Sequence, residues 1–562
     1  MMKKILLYTI CLSGTLLGLS GCSDWLDVNK NPNEALESTV SSDLLLTSVQ
    51  NDECYYRISS SNVHFLAEHT TKSGDYSGTY PFLTGGVMPQ SFDDYWRRPY
   101  SRIANLKNIE RKAIESGDTG FEAISKTLQA YEFRRLVDMF GDVPFTEASA
   151  GSEYLTPKYD DAATIYNGLI EMLDQAIGLC DQTLANTTYN KGALTSADIY
   201  FGGDFKAWKR YAASLQLSLL MRISNVSDVS AKIKAVQDKV MSIGENATSN
   251  PGYYKGQSTV NGSTYVKMNP LYYLYGYTYL DKEYSGHKSS VPTEEVVSRL
   301  RNTNNPLLRV FVDPRRYLAN DANGRANYDR FDLEDEYYIG VPFGQMSPAQ
   351  TNYASKIGFG VVSKTCDQET GPAQNIIVMQ GSLVGFYLAE AALRKLIDGG
   401  DAAAKKYYEE AVISLFNTYE TALRSDASTW PALSRPAGAR PAITGTAAEA
   451  AIEYLSQNDA AVNWDLMTTT EQKMNAIQTQ KWLSLYMVDP LEAWSEVRRT
   501  DLPVLHASNC AQYSNKMMAR FLYPNTEKNL NPDNYRSDID VFTTLIFWDK
   551  ENPDLQKSTT FQ

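Results

Sequence analysis

Two histidines that lie close together are the first candidates for metal chemistry. His64 and His69 occur in the segment HFLAEH, five residues apart. A helix presents shared zinc ligands four residues apart, as in H-E-x-x-H, so this spacing puts the two rings on different faces. We therefore predict surface or core roles for both. The chain also contains no G-x-S-x-G motif, phosphate-binding loop or G-x-G-x-x-G motif.

Clustered carboxylates are the next candidates, because paired acids hydrolyse glycosidic bonds. The segment FDLEDEYYIG carries Asp332, Glu334, Asp335 and Glu336. Adjacent acids of this kind are typical of a solvated face. A surface glycoside hydrolase is therefore the weakest of the functions we consider.

The segment DVNKNPN resembles the start of a calcium-binding loop, with Asp27, Asn29 and Asn31 at alternate positions. The sixth position is Pro32 rather than Gly and the twelfth is Ser38 rather than Glu, so the spacing does not support calcium. Asx side chains and proline favour a rigid turn instead. No cofactor or metal is predicted.

Two aromatic loops are the best signal for a binding site. Flat rings stack on the C–H faces of sugars, and tyrosine adds a polar tip. The segments are SGDYSGTYPFLTGG and PLYYLYGYTYLDKEY, and alternation at 273, 275, 277 and 279 predicts four rings on one face of an extended segment. The alternative is an aromatic strand packed on helices. The ligand-binding candidates are Asp75, Tyr76, Tyr80, Phe82, Tyr272, Tyr275, Tyr277, Tyr279 and Tyr284.

Composition excludes one class of partner. The chain has 562 residues, 43% of them apolar, and a net charge of −13. Removing the first 21 residues, which hold two lysines and no acid, leaves −15. An acidic chain repels phosphate backbones, so we expect no nucleic-acid binding.

The cysteines do not form a metal or redox motif, because no C-x-x-C pair occurs. Cys54, Cys180, Cys366 and Cys510 are isolated in the sequence. They form two disulfides in one of three connectivities, or stay as buried thiols. We favour thiols, since free cysteine behaves as a small hydrophobe.

Helical periodicity dominates the rest of the chain. Apolar residues from Ala162 to Cys180 follow i, i+3, i+4, i+7 spacing behind a capping Asp160 or Asp161. Residues 205–223 repeat the pattern, and 382–424 contain two helical segments separated by Gly399-Gly400, where we expect a helix C-cap and turn. The helices resemble degenerate tetratricopeptide-type hairpins, mainly in 100–245 and 380–425, although an irregular bundle fits the pattern too.

Two insertions interrupt the helices. Residues from about 246 to 377 are rich in Gly, Asn, Pro and Tyr and predict long loops with short strands, and 429–446 form a second loop-rich insertion. We therefore predict an all-α-dominated fold with a loop-rich ligand-binding face, built as one domain over residues 41–562. Loops of this length on a helical scaffold are usually functional.

The N-terminal sequence predicts a secretory signal peptide followed by a lipid anchor. Residues 1–21 combine two lysines with an apolar run, as in a secretory signal peptide, and end in LSG followed by Cys22. This junction resembles a bacterial lipobox, so Cys22 becomes the first mature residue and carries the lipid. Stable anchoring needs more than one acyl chain. Residues 22–40 then form a lipidated tether.

Several segments in their order resemble the SusD/RagB family of outer-membrane nutrient-binding lipoproteins, in the branch with an N-terminal D-x-N-x-N-P signature. The segments are LDVNKNPN (26–33), RLVDMFGDVPFTEA (135–148), GDFKAWKRYAASLQLSLLMRI (203–223), VDPR (312–315), YYIGVPFG (337–344), YLAEAALR (387–394), QKWLSLYMVDPLEAWSEVRRTDLPVL (480–505) and RFLYPNTEKNLN (520–531).

This resemblance implies a scaffold of four tetratricopeptide-like hairpins that performs no chemistry. It implies a lipid-anchored protein on the surface of a Gram-negative outer membrane. There it captures oligosaccharides, or peptides as in the RagB branch, for a TonB-dependent SusC-like transporter. The family's export signal often has adjacent acids after the lipidated cysteine. Here Asp24 has no acidic neighbour, so surface exposure is implied by the family alone.

Overall fold

The computed structural model describes residues 40–73, 80–149, 153–314, 317–320, 326–330, 338–344, 354–431, 441–506 and 517–550. Helices dominate this part of the chain, which confirms the predicted fold class. The predicted leader and tether, Cys22 and the DVNKNPN turn lie outside the described residues, as does the acidic run at 332–336.

The α-helices of the described residues are α1 Ser42–Ser59, α2 Ser61–Leu66, α3 Pro81–Thr84, α4 Asp93–Ser116, α5 Thr119–Phe140, α6 Ala162–Ala185, α7 Leu194–Ala197, α8 Phe205–Ile223, α9 Ser230–Val236, α10 Pro270–Tyr275, α11 Ser285–Ser289, α12 Glu294–Asn302, α13 Leu308–Phe311, α14 Phe359–Val362, α15 Gly381–Leu393, α16 Gly400–Thr418, α17 Glu420–Arg424, α18 Ala447–Leu455, α19 Thr470–Ser484, α20 Pro490–Thr500 and α21 Asn525–Leu530. Short 3₁₀ helices cover Pro89–Phe92, Gly371–Ala373, Ala427–Thr429 and Trp464–Leu466.

The strands are short and pair only in twos. They are β1 Thr70–Lys72, β2 Ala247–Ser249, β3 Gln257–Val260, β4 Ser263–Val266, β5 Ser290–Pro292, β6 Val312–Asp313, β7 Tyr317–Asn320, β8 Ala326–Arg330, β9 Lys356–Ile357 and β10 Ile376–Met379. The pairs β1–β5, β2–β10, β3–β4, β6–β9 and β7–β8 are all antiparallel.

The N-terminal helices form consecutive packed pairs, α4 with α5, α5 with α6, and α6 with α8. Helices α5, α6 and α8 each begin at an N-cap aspartate, whose carboxylate accepts hydrogen bonds from free backbone N–H groups of the first turn. These aspartates are Asp118, Asp161 and Asp204. The predicted apolar face of α6 is buried from Ala162 to Cys180. Local sequence therefore sets where these helices begin and which face they bury.

The α15–α16 pair also forms, but its connection differs from the prediction. Helix α15 ends at Leu393 with Arg394 as its C-cap, and Gly399 and Gly400 (φ of 100° and 54°) instead form the N-cap and first residue of α16. Positive φ favours glycine at both positions. The predicted C-cap role for these glycines is wrong, because the C-cap of the first helix is Arg394.

A buried ionic cluster joins the N-terminal helices to the C-terminal ones. It links α5, α8, α15, α19 and α20, and the charged groups are almost completely buried. Its cations are Arg134, Arg222, Lys481 and Arg499, and its carboxylates are Asp138, Glu390, Glu492 and Glu496. Arg394, at 22% exposure, adds a further cation 2.9 Å from Glu390. Each carboxylate of the cluster thus has a cationic partner, as buried charge requires.

The region from 246 to 377 contains the predicted short strands but also helices α10 to α14. The prediction of an extended tyrosine segment is wrong. Residues 270–275 form α10, whose N-cap Asn269 accepts from Leu271 N and Tyr272 N and whose first residue is Pro270. The 2-residue period of the tyrosines predicted a strand, but the helix-start signals at Asn269 and Pro270 determine the observed structure.

Three cysteines, Cys54, Cys180 and Cys366, are free and buried, which excludes a two-disulfide arrangement with Cys510. Cys510 itself lies outside the described residues. Within the described ranges, no helix has both the length and the apolar character to cross a membrane.

Candidate functional site

An open polar cleft lies where four elements meet: the end of α1, α2, the 3₁₀ helix Pro89–Phe92 and the start of α4. It encloses about 440 Å³. Its described lining residues are Tyr56, Ser59, Ser60, Asn62, Gln90, Ser91, Asp93, Asp94, Tyr95 and Arg98. This volume falls in the range of small-molecule sites.

Three residues that line the cleft carry buried polar atoms that the described protein leaves unsatisfied. The Tyr56 hydroxyl, Asp93 Oδ1 and Arg98 Nε are buried and have no hydrogen-bond partner among the described residues. Such groups cost free energy unless a ligand or water pairs with them. Together they provide a hydroxyl, a carboxylate acceptor and a guanidinium donor, the set that pairs with sugar hydroxyls.

The remaining bonds of these residues hold them in place. Arg98 Nη1 donates to Asp52 Oδ1 at 3.2 Å, and its guanidinium lies 5.3 Å from the Tyr56 ring centroid. Burial raises the pKa of Tyr56 above its usual range, so the hydroxyl keeps its proton as a donor at neutral pH. Pro99, inside α4, supplies no N–H to the Tyr95 carbonyl one turn earlier.

Aromatic packing supports the cleft wall from below. The Tyr95 ring lies 5.8 Å from Tyr56 and 6.2 Å from Phe82, and Phe82 in turn packs 5.5 Å from Phe92. Phe82 is only 3% exposed. The predicted candidate Phe82 is thus a core residue beneath the cleft rather than a contact surface.

A tyrosine patch, made of Tyr55 on α1, Tyr273 on α10 and Tyr284 just before α11, lies next to the cleft. Tyr273 and Tyr284 are half-buried, with ring centroids 4.5 Å apart, and Tyr55 is 41% exposed. Tyr55 and the cleft residue Ser59 lie one turn apart on α1, and α10 packs on α1 through the Tyr275 Oη–Ile58 O hydrogen bond of 3.2 Å. Burial, and to a smaller extent a hydrogen bond with Tyr284, raises the pKa of Tyr273 to about 12.

Three other predicted tyrosines are buried in the core. Tyr272, Tyr275 and Tyr277 are 0%, 4% and 1% exposed. Tyr275 packs edge-on against His64, and Tyr277 packs against His287 and Phe359. The prediction that these three rings contact a ligand is wrong, because α10 and the turn after it direct them inward.

The other predicted contacts are more accessible. Tyr80, Tyr279 and Tyr284 are half-buried. Lys72 Nζ lies 4.8 Å from the Tyr80 ring centroid, and burial lowers the pKa of that lysine. Asp75 and Tyr76 lie outside the described residues and stay predictions.

The histidines are not assembled into a metal site. His64 and His69 are fully buried, and burial lowers the pKa of each to about 3. The His69 Nε2 atom lies 3.0 Å from Trp482 O. No group of three His, Cys, Asp or Glu side chains among the described residues is placed to hold a metal ion.

Sequence reasoning missed the main cleft residues. The segment FDDYWRRPY (92–100) places two acids, three aromatic rings and two arginines before Pro99. That concentration of hydrogen-bonding and aromatic groups was the available signal. The other wall, Tyr56 to Asn62, carries no comparable signal in the sequence, because only the fold brings it opposite Arg98.

Comparison with known proteins gives a family and a fold. The family model SusD-like_2, described as "Starch-binding associating with outer membrane", matches residues 32–524. No curated protein sequence matches the chain significantly.

Several solved structures share the fold. A SusD/RagB family protein from Bacteroides thetaiotaomicron has a TM-score of 0.67 at 19% identity, covering 92% of this chain and 100% of that one. A SusD homologue from Bacteroides fragilis has a TM-score of 0.66 at 20% identity, covering 91% and 100%. A chitin-binding SusD homologue from Flavobacterium johnsoniae has a TM-score of 0.66 at 19% identity, covering 91% and 98%.

Proposed function

We propose that this chain, which belongs to the SusD-like family of outer-membrane-associated proteins, captures oligosaccharides at the cleft of α1, α2 and α4. The observation that carries the proposal is the set of unpartnered buried polar atoms on Tyr56, Asp93 and Arg98. Sugar hydroxyls both donate and accept, so one ligand class satisfies all three groups.

The tyrosine patch of Tyr55, Tyr273 and Tyr284 extends this site. Tyrosine rings that reach solvent offer flat faces to sugar C–H groups, while the cleft offers hydrogen bonds. An oligosaccharide longer than the cleft then runs onto the patch across Ser59. A monosaccharide contacts only one of the two surfaces and binds more weakly.

The proposal includes the setting of the protein. Cys22 carries the lipid that holds the mature chain at the outer-membrane surface, and the captured glycan passes to a TonB-dependent SusC-like transporter. Replacing Cys22 with serine abolishes metabolic palmitate labelling if this anchor is correct. Copurification of a large β-barrel protein from detergent-solubilised outer membranes tests the transporter.

Glycan capture is tested with the mature chain from residue 23 and two oligosaccharide series. Chitooligosaccharides are one, because a homologue of the same fold is described as chitin-binding. Maltooligosaccharides are the other, because the family description names starch. Calorimetry with both series and with a panel of short peptides gives affinities. Binding of peptides but of no glycan overturns the proposal in favour of a RagB-like peptide carrier.

We propose binding without chemistry. Incubation of each bound oligosaccharide with the protein, followed by chromatography, is expected to return the ligand at its original length. Shortened products assign the chain to the glycoside hydrolases instead.

A further inference from the structure

A second cavity, lined by both polar and apolar groups, lies apart from the cleft, between α12, α19 and residues 461–462. It encloses about 380 Å³ and shares no described lining residue with the cleft. Asn302 and Asn475 are exposed at its mouth, while Glu295 and Gln480 are buried at its floor. The cavity is therefore open at one end and sized for a small molecule.

The charges around this cavity neutralise one another. Glu294 accepts from Arg301 Nη2 at 3.0 Å and from the backbone N–H of Gly340 at 3.0 Å. Glu295 accepts from Arg299 at 2.9 Å and also contacts His506 Nδ1. Because each carboxylate already has a cationic partner, an ion would have to displace one of these pairs. The cavity favours a neutral ligand.

The floor of the cavity carries a buried side-chain amide, Gln480, whose nitrogen is hydrogen-bonded and whose oxygen is not, within the part of the chain that the structure describes. Gln480 is 2% exposed, and its Nε2 donates to Tyr454 Oη at 2.9 Å. Its Oε1 has no hydrogen-bond partner among the described residues, and neither has the buried Thr479 Oγ1. Leaving a buried acceptor unpaired costs free energy. A ligand that donates to Gln480 Oε1 recovers that cost.

We infer that this cavity is a second binding site, which takes a small neutral polyhydroxylated molecule of one or two sugar rings. No Phe, Tyr or Trp is among its described lining residues, so the ligand is held mainly by hydrogen bonds rather than by stacking on a large ring. Amides of Asn302 and Asn475 meet it at the mouth, Gln480 and Thr479 inside, and Val462 and Leu483 cover its apolar edge. The site is separate from the glycan-capturing cleft.

Crystals of the mature chain soaked in glucose or N-acetylglucosamine locate the ligand. We expect sugar density in this cavity with a hydroxyl or amide N–H donating to Gln480 Oε1. Ordered water alone in both soaks overturns the inference. Loss of oligosaccharide binding at the cleft would overturn the proposed capture function and leave this result unaffected.

Variants measure the contribution of the cavity in solution. Saturation-transfer NMR titrations use the Arg98→Ala, Tyr284→Ala double variant as the background, so that binding at the cleft and at the tyrosine patch is weakened. Adding Thr479→Val, which removes the unpartnered hydroxyl at nearly constant shape, is expected to weaken binding of the soaked sugar about threefold. Adding Ser298→Phe, which fills the cavity, abolishes it.

Thermal unfolding of each variant checks that the fold is intact. Thr479→Val keeps the test decisive if Ser298→Phe does not fold. Sugar affinity that is unchanged by Thr479→Val, and by Ser298→Phe when it folds, contradicts the site.

Discussion

Arg499 of α20 and Glu390 of α15 form a two-pronged ion pair, with Nη1–Oε1 and Nη2–Oε2 distances of 2.7 Å each. Both side chains are almost completely buried. Lys481 and Glu496 close the cluster around them, with Lys481 Nζ 2.6 Å from Glu496 Oε2. The pair joins two residues that are 109 positions apart in the sequence, so it holds the C-terminal segment to the helical scaffold.

Breaking this pair is expected to destabilise the protein strongly. Arg499→Met removes one cation and leaves Glu390 and Glu496 buried with less compensation, which costs about 3–5 kcal/mol. Urea unfolding measures the change. Arg424→Ala is the matched control, because its partner Glu420 lies on the same helix and both are exposed. Equal effects of the two variants contradict a structural role for the buried cluster.

Cleft variants are expected to weaken glycan binding without affecting the fold. Arg98→Ala removes the unpartnered Nε donor and is expected to lower affinity about tenfold, equivalent to about 1.4 kcal/mol. Tyr56→Phe is expected to have a smaller effect in the same direction. Calorimetry with the tightest-binding oligosaccharide measures both. Arg111→Ala, an exposed arginine farther along α4, is the control and should bind normally.

Tyrosine variants separate the patch from the core. Tyr284→Ala is expected to lower oligosaccharide affinity several-fold while the melting temperature stays close to that of the parent, because the ring is half-buried at the surface. Tyr275→Ala is expected to lower the free energy of unfolding by about 3–5 kcal/mol, as for other large buried rings. The opposite pattern would return Tyr275 to the binding site.

Stability is expected to fall as the pH is lowered below about 6.5. Burial lowers the pKa of His64 and His69 to about 3, below the unfolded value of 6.5. The unfolded chain therefore takes up these protons first, and each histidine costs about 1.4 kcal/mol per pH unit across the window from 6.5 to 3.

Urea unfolding between pH 7 and pH 5 isolates this effect, because carboxylates titrate mainly below that range. His64→Phe keeps a ring against Tyr275 and is expected to reduce the pH dependence. A pH dependence that His64→Phe leaves unchanged contradicts the assignment.

The buried thiols are expected to resist alkylation in the folded protein. Burial raises the pKa of Cys54 and Cys180 to about 12 and that of Cys366 to about 11, so little thiolate forms at neutral pH. Peptide mass spectrometry after iodoacetamide treatment should find these cysteines unmodified in the native chain and modified in urea. Rapid native labelling of any of the three rules out its buried position.

Local sequence predicted the helical scaffold well where the signal was short-range. The apolar spacing of α6 and its Asp161 cap depend on residues within a few positions of one another, and both are confirmed. The order of short motifs likewise indicated the family. The prediction of an extended tyrosine segment was wrong because two local signals competed. The alternation of tyrosines favoured a strand, whereas Asn269 and Pro270 favoured a helix start, and the helix formed.

By itself, then, the sequence determined the helical class, the family and the acidic character from which we expect no nucleic-acid binding. Only the tertiary structure decided which polar groups work together. Tyr56 and Arg98 share a cleft although 42 positions separate them, and Arg134 in α5 is buried against Glu492 in α20. Charge and aromaticity are read from the sequence, but burial and pairing depend on packing between distant helices, which no local pattern encodes.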